Sequence, residues 1–407
     1  MQNIKYFVSL HAKKKQMIER TIRERILTLS SMFPVVTLTG VRQSGKSTLL
    51  KTCFPNHKYV SLEDPDIRMM AESDPRGFLL NFGYPLVIDE VQNVPALFSY
   101  IQTIVDEHNE SGMYILSGSQ NFLLMESVSQ SLAGRAAVLR MMPFSIAELK
   151  NAGLLPENPN EMMFTGGYPR IYDKGIPPAD YFPSYLQTYV ERDVMLLKNI
   201  GKRMQFNKFL RLCAARAGQL LNLTALANEA DVSVPTVQAW LSVLETSNVV
   251  FLLQPYHKNF NKRLVKSPKL YFYDTGLLSA LLSLKSADQM EMHFMRGEIF
   301  ENMVVSECMK SFFAKGVEPQ LYFWRDSNGN EVDLLVEDSG GLYAYEVKSS
   351  ATLKPDFFRG LKSFEKLADG VLAGCAVIYG GGADYRTGYG RFVSWKNWCD
   401  LKGEFKL

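Results

Sequence analysis

The chain has 407 residues, of which 46% are hydrophobic and 21% charged, and its formal net charge is +3 at pH 7. These proportions are typical of ordinary globular proteins, and at ~150 residues a domain the length predicts about three domains. The net charge is too small to indicate a nucleic-acid partner by itself, so any basic footprint must be local.

The sequence shows no sign of a disulfide framework, a zinc site or a membrane span. Its five cysteines are scattered, and no Cys-x-x-Cys pair occurs, a pattern that fits a reducing compartment. No apolar stretch reaches the ~18 residues that a membrane-spanning helix needs. Basic residues interrupt the first 15 residues, which therefore do not resemble a secretory signal. We expect a cytoplasmic protein.

The first predicted elements lead into a glycine-rich loop. The apolar spacing predicts a helix over 16–33, followed by a buried strand from Val35 to Leu38. Arg20, Arg23 and Arg25 lie off the apolar stripe of this helix, where a solvated face is favoured over a phosphate contact. Residues 40–47 fit G-x-x-x-x-G-K-[ST], and the next three residues open a helix. This strand–loop–helix order predicts a phosphate-binding P-loop.

The P-loop residues have distinct roles in binding ATP and Mg²⁺. The glycines let the backbone amides approach the β- and γ-phosphates, Lys46 brings a positive charge, and the hydroxyl of Ser47 can bind the metal. The residues assigned to the nucleotide are Gly40, Val41, Arg42, Gln43, Ser44, Gly45, Lys46, Ser47 and Thr48.

A second motif follows at residues 85–90, where an apolar strand ends in Asp89 and Glu90. This is the Walker B pattern. It predicts that Asp89 holds Mg²⁺, directly or through water, and that Glu90 orients and activates the attacking water.

Two further positions have both a functional and a structural interpretation. Ser119 and Gln120 follow a predicted strand and could sense the γ-phosphate, or could form a hydrogen-bonded turn. Arg135 could be an arginine finger, in cis or from a neighbouring subunit, or part of a structural ion pair.

The order of these motifs resembles bacterial and archaeal AAA-type P-loop ATPases that carry a C-terminal domain of uncharacterised function. The stretches that carry the resemblance, within residues 16–170, are TLTGVRQSGKSTLL, VSLEDPD, LVIDEVQ, LSGSQNFLL, SLAGR, PFSIAEL and TGGYPR. The resemblance implies a five-stranded parallel AAA core with helices on both faces. The resemblance implies no cellular role. Whether the chain assembles into a homo-oligomer is left open by the sequence.

The middle of the chain is predicted to form a helical lid or linker and then a winged helix. A lid helix over 180–198 contains the charged residues 191–193, which we interpret as a solvated face in preference to a contact with nucleotide or subunit. Three helices, over 206–217, 223–230 and 234–246, precede two strands, over 249–253 and 269–273.

The predicted DNA contact lies in the wing and not in the third helix, which has no Lys or Arg. Aromatic residues alternate with basic ones in the wing, a pattern that suits contact with the phosphate backbone and base stacking. A solvated loop is an equally open interpretation. The basic residues of the wing are Lys258, Lys262, Arg263, Lys266 and Lys269.

The C-terminal stretch combines a helical glutamate with acids on a three-stranded meander. Glu301 lies on an amphipathic helix predicted over 296–313, and Asp333 lies on the middle strand. Glu346 and Lys348 share one face of the third strand. The set resembles the PD-(D/E)xK nuclease pattern, although Val332 replaces the usual proline. The resemblance implies that Asp333 and Glu346 hold Mg²⁺ with Glu301 as a third carboxylate, and that Lys348 positions water or stabilises charge on the phosphate. A cross-strand Asp–Lys pair on a solvated sheet face is the structural alternative.

The predicted fold class is α/β, with four successive segments. These are an AAA-type P-loop ATPase domain (1–165), a helical lid (166–204), a winged-helix domain (205–285) and a restriction-endonuclease-like domain (286–407). The predicted function is ATP binding and hydrolysis coupled to DNA binding or processing by the nuclease-like domain. The alternative is a nucleotide-gated switch whose C-terminal domain is catalytically inactive and only binds nucleic acid or protein.

Overall fold

The structure is a computed structural model that describes residues 17–119, 128, 130–188, 203–256, 265–338, 341–368 and 370–398. None of the helices within these ranges is both long and apolar enough to cross a membrane. Gln120, residues 191–193 and three of the basic wing residues, Lys258, Lys262 and Arg263, lie outside the described residues.

The first half of the chain forms a parallel sheet of five strands in the order β2-β3-β4-β1-β5. The central strand β1 is buried along its whole length and pairs with β4 and β5, so that Val36 lies opposite Ile115 and Ala137. The predicted five-stranded parallel core is confirmed. The strands are β1 (Val35–Gly40), β2 (Lys58–Ser61), β3 (Leu86–Asp89), β4 (Tyr114–Ser117) and β5 (Ala136–Met141).

Helices cover both faces of this sheet because its strands are apolar on both sides. Val35 and Ile88 face one core, which includes residues of α3, α4 and α5, while Val36 and Leu50 belong to the opposite core with α1 and α2. These helices are α1 (Arg23–Ser30), α2 (Lys46–Cys53), α3 (Pro65–Ser73), α4 (Pro75–Phe82) and α5 (Ala96–His108).

The first helix is shorter than predicted, since α1 begins at Arg23 and residues 17–20 are not helical. Arg20 is buried and donates to the carbonyls of Ser44 and Met142. The interpretation of Arg20 as part of a solvated face was therefore wrong.

A group of short helices connects the parallel sheet to the rest of the chain. The predicted lid helix corresponds to α9, which begins at Pro178, and its predicted second half falls outside the described residues. The helices are α6 (Ile146–Asn151), α7 (Pro159–Thr165), α8 (Pro169–Lys174) and α9 (Pro178–Tyr185).

Three helices and an antiparallel strand pair follow. Phe206 and Phe209 pack against Trp240 at ring distances of 5.3 and 5.4 Å, which holds the first and third helices together. The elements are α10 (Arg203–Ala214), α11 (Leu223–Ala230), α12 (Val234–Thr246), β6 (Val250–Pro255) and β7 (Lys269–Phe272).

This strand pair is the edge of a larger sheet, whose order is β12-β13-β11-β10-β9-β8-β6-β7. Gln254 and Pro255 of β6 pair with Tyr322 and Phe323 of β8, so the 205–285 and 286–407 segments share one sheet. The elements after residue 348 were not predicted from the sequence. The remaining strands are β8 (Leu321–Arg325), β9 (Glu331–Asp338), β10 (Gly341–Lys348), β11 (Leu372–Tyr379), β12 (Tyr385–Thr387) and β13 (Gly390–Ser394).

One long helix joins the two sheets. The helices of this region are α13 (Thr275–Leu281), α14 (Ala287–Met292), α15 (Arg296–Lys315) and α16 (Arg359–Ala368). α15 contacts β5 of the first sheet and β7 and β10 of the second. It was predicted to be amphipathic, but Asn302, Ser306, Glu307 and Lys310 are buried as well as its apolar residues. Packing between two sheets explains why the helix has no simple solvent face.

Candidate functional site

The P-loop lies between the end of β1 and the start of α2, and its glycines are required by geometry. Gly40 has φ 141°, and a Cβ there would lie 2.0 Å from the carbonyl oxygen of Met141. Gly45 adopts φ 95° immediately before Lys46, the first residue of α2. Glycine at positions 40 and 45 therefore allows a loop backbone conformation that other residue types would not allow.

Lys46 places its ammonium inside the loop. Its side chain is only 5% exposed, and Nζ donates to the carbonyls of Gly40 and Val41, each at 3.1 Å. Burial lowers the pKa of Lys46, while the charges of Glu90 and Asp89 oppose this effect. Lys46 thus occupies the place that the motif predicts for the phosphate-binding cation.

Asp89 accepts hydrogen bonds from three hydroxyl groups at the end of β3. Oδ2 accepts from Ser47 Oγ and from the phenol of Tyr59, both at 2.6 Å, and Oδ1 accepts from Ser117 Oγ. Burial, followed by the hydrogen bond to Asp89, raises the pKa of Tyr59, so the phenol remains a donor. The sequence analysis missed Tyr59 and Ser117, although strands β2 and β4 both flank β3.

Glu90 is held in a fixed position beside Asp89. Its backbone is left-handed, with φ 54°. Oε2 accepts from Ser119 Oγ at 2.9 Å, from the Ser119 amide at 3.3 Å and from Gln92 Nε2 at 2.5 Å. Ser119 therefore contacts Glu90, 29 residues away in the chain, and both its role as a γ-phosphate sensor and the alternative of a hydrogen-bonded turn stay predictions.

Neighbouring elements hold the loop backbone from outside. Gln43, which has φ 62°, accepts a hydrogen bond from the phenol of Tyr181 on α9 at 3.0 Å. Arg20 donates to the carbonyl of Ser44 at 3.0 Å. Ser44 is buried, Arg42 is half-buried, and Gln43 and Thr48 are exposed.

Arg135 lies at the wrong end of the sheet for a finger in cis. It precedes β5 at the amino ends of the strands, where Val35 pairs with Ala136, whereas the P-loop follows Gly40 at the other end. Its guanidinium donates to both carboxylate oxygens of Asp106 in α5. The cis role was therefore wrong, and a role in a neighbouring subunit stays a prediction.

The structure brings Asp333, Glu346 and Lys348 together, as predicted. Lys348 Nζ lies 2.6 Å from Glu346 Oε1 and 3.6 Å from Asp333 Oδ2. Asp333 also accepts from the amide of Val347 at 2.8 Å. This contact lies just beyond the Tyr345–Leu334 pair, where the regular ladder of β9 and β10 ends.

Glu301 is paired with a lysine from the wing. Lys269 Nζ lies 2.9 Å from Glu301 Oε1 and 2.6 Å from Glu331 Oε1, and the phenol of Tyr271 donates to Glu301 at 2.5 Å. Lys269 is only 3% exposed. The prediction that Lys269 contacts DNA was therefore wrong, whereas Lys266 is exposed.

The carboxylates of this cluster were predicted to form a metal centre. In the part of the chain that the structure describes, no three His, Cys, Asp or Glu side chains are placed to hold a metal ion. Lys269 and Tyr271 both contact Oε1 of Glu301, and the joint binding of one metal by Glu301, Asp333 and Glu346 stays a prediction.

Glu346 is a largely buried acid of this cluster. Burial, strengthened by the charge of Asp333 and opposed by Lys348, raises the pKa of Glu346 to about 8. Its buried Oε2 has no hydrogen-bond partner among the described residues. A Cβ added to Gly360 of α16 would lie 3.1 Å from this oxygen, so the helix covers it closely.

Three family models match successive parts of the chain. Residues 32–150 match an AAA domain, residues 156–288 a domain of unknown function (DUF8612) and residues 296–398 a second domain of unknown function (DUF4143). The first match confirms an AAA-type P-loop ATPase domain, as the sequence predicted.

Two relatives match most of the chain. An uncharacterized protein of Mycobacterium tuberculosis and one of Mycobacterium bovis are each 31% identical over 356 residues, covering 86% of this chain and 77% of the relative. The Walker-type ATPase PABY2304 of Pyrococcus abyssi aligns with a TM-score of 0.42 at 16% identity, over 66% of this chain and 97% of that chain.

Proposed function

Because the chain belongs to the same family as the two mycobacterial proteins and carries an AAA domain, we propose that it binds and hydrolyses ATP as a nucleotide-gated switch. The observation that carries the ATPase half is the convergence of the P-loop with Asp89 and Glu90. Ser47 and Asp89 are in direct contact, and Glu90 follows Asp89 at the same edge of the sheet.

The residues of this site suit ATP with Mg²⁺. Ser47 Oγ and Asp89 Oδ2 are hard oxygen donors 2.6 Å apart, of the kind that Mg²⁺ prefers. The metal would neutralise charge on the β- and γ-phosphates. Lys46 and the loop amides would bind the phosphates, and Glu90 would orient the attacking water after leaving Ser119 and Gln92.

The switch half is supported by a buried path of polar contacts that begins at the P-loop. Arg20 donates to the Ser44 carbonyl and, through Nε, to Glu148 Oε1 at 3.1 Å. Arg20 and Glu148 are 8% and 4% exposed. A change in the loop backbone on nucleotide binding would therefore act directly on Glu148, near the start of α6.

The path continues from the start of α6 into α15. The Ile146 amide donates to Glu307 Oε2 at 2.7 Å, and Lys310 Nζ donates to the Phe144 carbonyl at 3.1 Å. Glu307 and Lys310 also pair with each other at 2.6 Å. α15 carries Glu301 as well, so the same helix contacts both the ATP-site path and the C-terminal carboxylates.

DNA is the proposed partner of the segment that follows the lid. Its support is the order of three helices and a strand pair, α10 to β7, which corresponds to a winged helix, together with the basic residues at 258–266. The order α15-β8-β9-β10-α16-β11 supports a nuclease-like fold for the last segment. Because the acids of this last segment are paired with lysines, we favour DNA binding over DNA cleavage as its role.

The ATPase proposal is tested with two substitutions and a matched control. Lys46→Ala should abolish ATP binding, because it removes the loop cation. Glu90→Gln should keep binding but lose at least ~100-fold in turnover, because the general base is gone. Glu110→Gln, which removes an exposed carboxylate, should behave as wild type. Binding of labelled ATP by Lys46→Ala at wild-type affinity would refute the proposal.

A further inference from the structure

The C-terminal carboxylate cluster already contains its own cations. Its acids come from α15, β9 and β10, and each has a basic side chain within 4 Å. The four acids of the cluster are Glu301, Glu331, Asp333 and Glu346. The three cations are Lys269, Lys348 and Arg325.

Lys269 is the central cation of this set. Its ammonium lies between Glu301 and Glu331 at 2.9 and 2.6 Å, and 5.5 Å from the centre of the Phe323 ring. Lys269 lies on β7, before the segment that contains the acids. The cation is therefore supplied to the cluster by the strand pair that precedes it.

We propose that the Lys269 ammonium is the built-in cation of the C-terminal cluster and excludes a divalent metal from it. A metal ion touching Glu301 would lie beside this buried ammonium, and like charges repel strongly where water is excluded. Glu301 Oε1 accepts hydrogen bonds from both Lys269 and Tyr271, and Glu331 pairs with Lys269 and Arg325.

The charge of the cluster agrees with this assignment. Three cationic side chains oppose four carboxylates, so the side chains together carry one net negative charge. A divalent ion added to this set would leave an excess of positive charge. The cluster thus fastens β7 to α15 and β9 and does not serve as a metal-dependent phosphodiesterase site.

The first test measures Mn²⁺ binding to the nucleotide-free full-length protein by titration calorimetry and by the loss of the free-Mn²⁺ paramagnetic resonance signal. Wild type, Glu301→Gln and Asp333→Asn should bind the same number of Mn²⁺ ions per chain. Loss of one Mn²⁺ in Glu301→Gln or Asp333→Asn would overturn the proposal, because these acids would then be metal ligands.

The second test removes the built-in cation. Lys269→Met should gain one Mn²⁺ per chain, and the gain should disappear in the double variant Lys269→Met with Glu301→Gln. Lys266→Met, an exposed lysine three residues earlier, should match wild type. A folded Lys269→Met that gains no Mn²⁺ would also overturn the proposal. If Lys269→Met does not fold, the comparison of wild type with Glu301→Gln and Asp333→Asn still tests the proposal.

Discussion

At the scale of single residues, Glu90 is the group whose surroundings matter most for turnover. Three hydrogen bonds from Ser119 and Gln92 converge on its Oε2. In the proposed mechanism Glu90 leaves these bonds to engage a water molecule near the γ-phosphate. The hydrogen bonds would therefore set part of the barrier to hydrolysis.

We expect Ser119→Ala to raise the basal ATPase rate by about three- to tenfold, because hydrogen bonds to a charged group are worth ~1.5–3 kcal/mol and only part is lost. The KM for ATP should stay close to wild type. Steady-state phosphate release measures both, with Ser99→Ala on α5 as the control. A fall in kcat would instead assign Ser119 to the reacting nucleotide.

Glu346 gives the fold a defined dependence on pH. Its pKa is raised from 4.5 to about 8, so between these values the folded state holds a proton that the unfolded chain has lost. The group therefore contributes stability below its unfolded pKa, and that contribution is lost as the pH rises through the folded pKa. Asp333, Lys348 and Glu301 are the charged groups that act on it.

Glu346→Gln should remove this dependence, because glutamine does not titrate. The difference in Tm, variant minus wild type, should become more positive between about pH 5 and pH 8. Thermal unfolding at several pH values measures it, with the exposed Glu365→Gln as control. A difference that stays constant with pH would show that Glu346 is not the titrating group.

At the scale of elements, α6 and α15 would form the link between the ATP site and the second sheet that the proposed switch requires. α6 is a short helix with a capping box between Ser145 and Glu148. Arg20 contacts it on the P-loop side, and Glu307 contacts it from α15. Since all these polar groups are buried, a shift at one contact must be accommodated by the next.

Arg20→Lys should uncouple the two sheets, because a lysine cannot donate simultaneously to Ser44, Met142 and Glu148. We expect binding of a non-hydrolysable ATP analogue to lower amide exchange in α15 of wild type, and this response to be lost in Arg20→Lys. Arg23→Lys, a partly exposed neighbour, is the control. A wild-type response in Arg20→Lys, with analogue binding retained, would contradict the path.

Elements with strong local signals were predicted to the residue. α11 and α12 match their predicted bounds because Asn222 and Ser233 cap them and accept from backbone amides in their first turns. The start of α1 was placed too early, because Arg20 makes long-range contacts with residues 44, 142 and 148. Local periodicity contains no information about such partners.

At the scale of the whole molecule, the proposed DNA surface is narrower than the sequence indicated. Lys269 is buried beneath the sheet edge, so the proposed contact reduces to the basic residues at 258–266. Non-specific binding through phosphates depends on the number of such charges that reach the DNA.

Replacing Lys262, Arg263 and Lys266 with Ala should weaken DNA binding across all sequences and reduce the slope of log K against log salt by roughly 2–3. Fluorescence anisotropy at several salt concentrations measures both quantities. The control replaces Lys354, Lys362 and Lys366, three exposed lysines of the C-terminal segment, and removes the same charge. Unchanged affinity in the first variant, with loss of binding in Gln238→Ala, would assign the contact to α12.

The sequence by itself determined the ATP-site motifs and the bounds of α11 and α12, because these depend on residues close together in the chain. Only the tertiary structure decided which charges neutralise each other. Lys269 and Glu301 are 32 residues apart, and Arg20 and Glu148 are 128 apart. From the sequence, Lys269 is predicted to be solvated because it lies in a basic stretch. In the fold, β6 pairs with both β7 and β8, which places Lys269 of β7 next to the acids. Burial makes such pairing obligatory, since an unpaired charge in the interior is too costly.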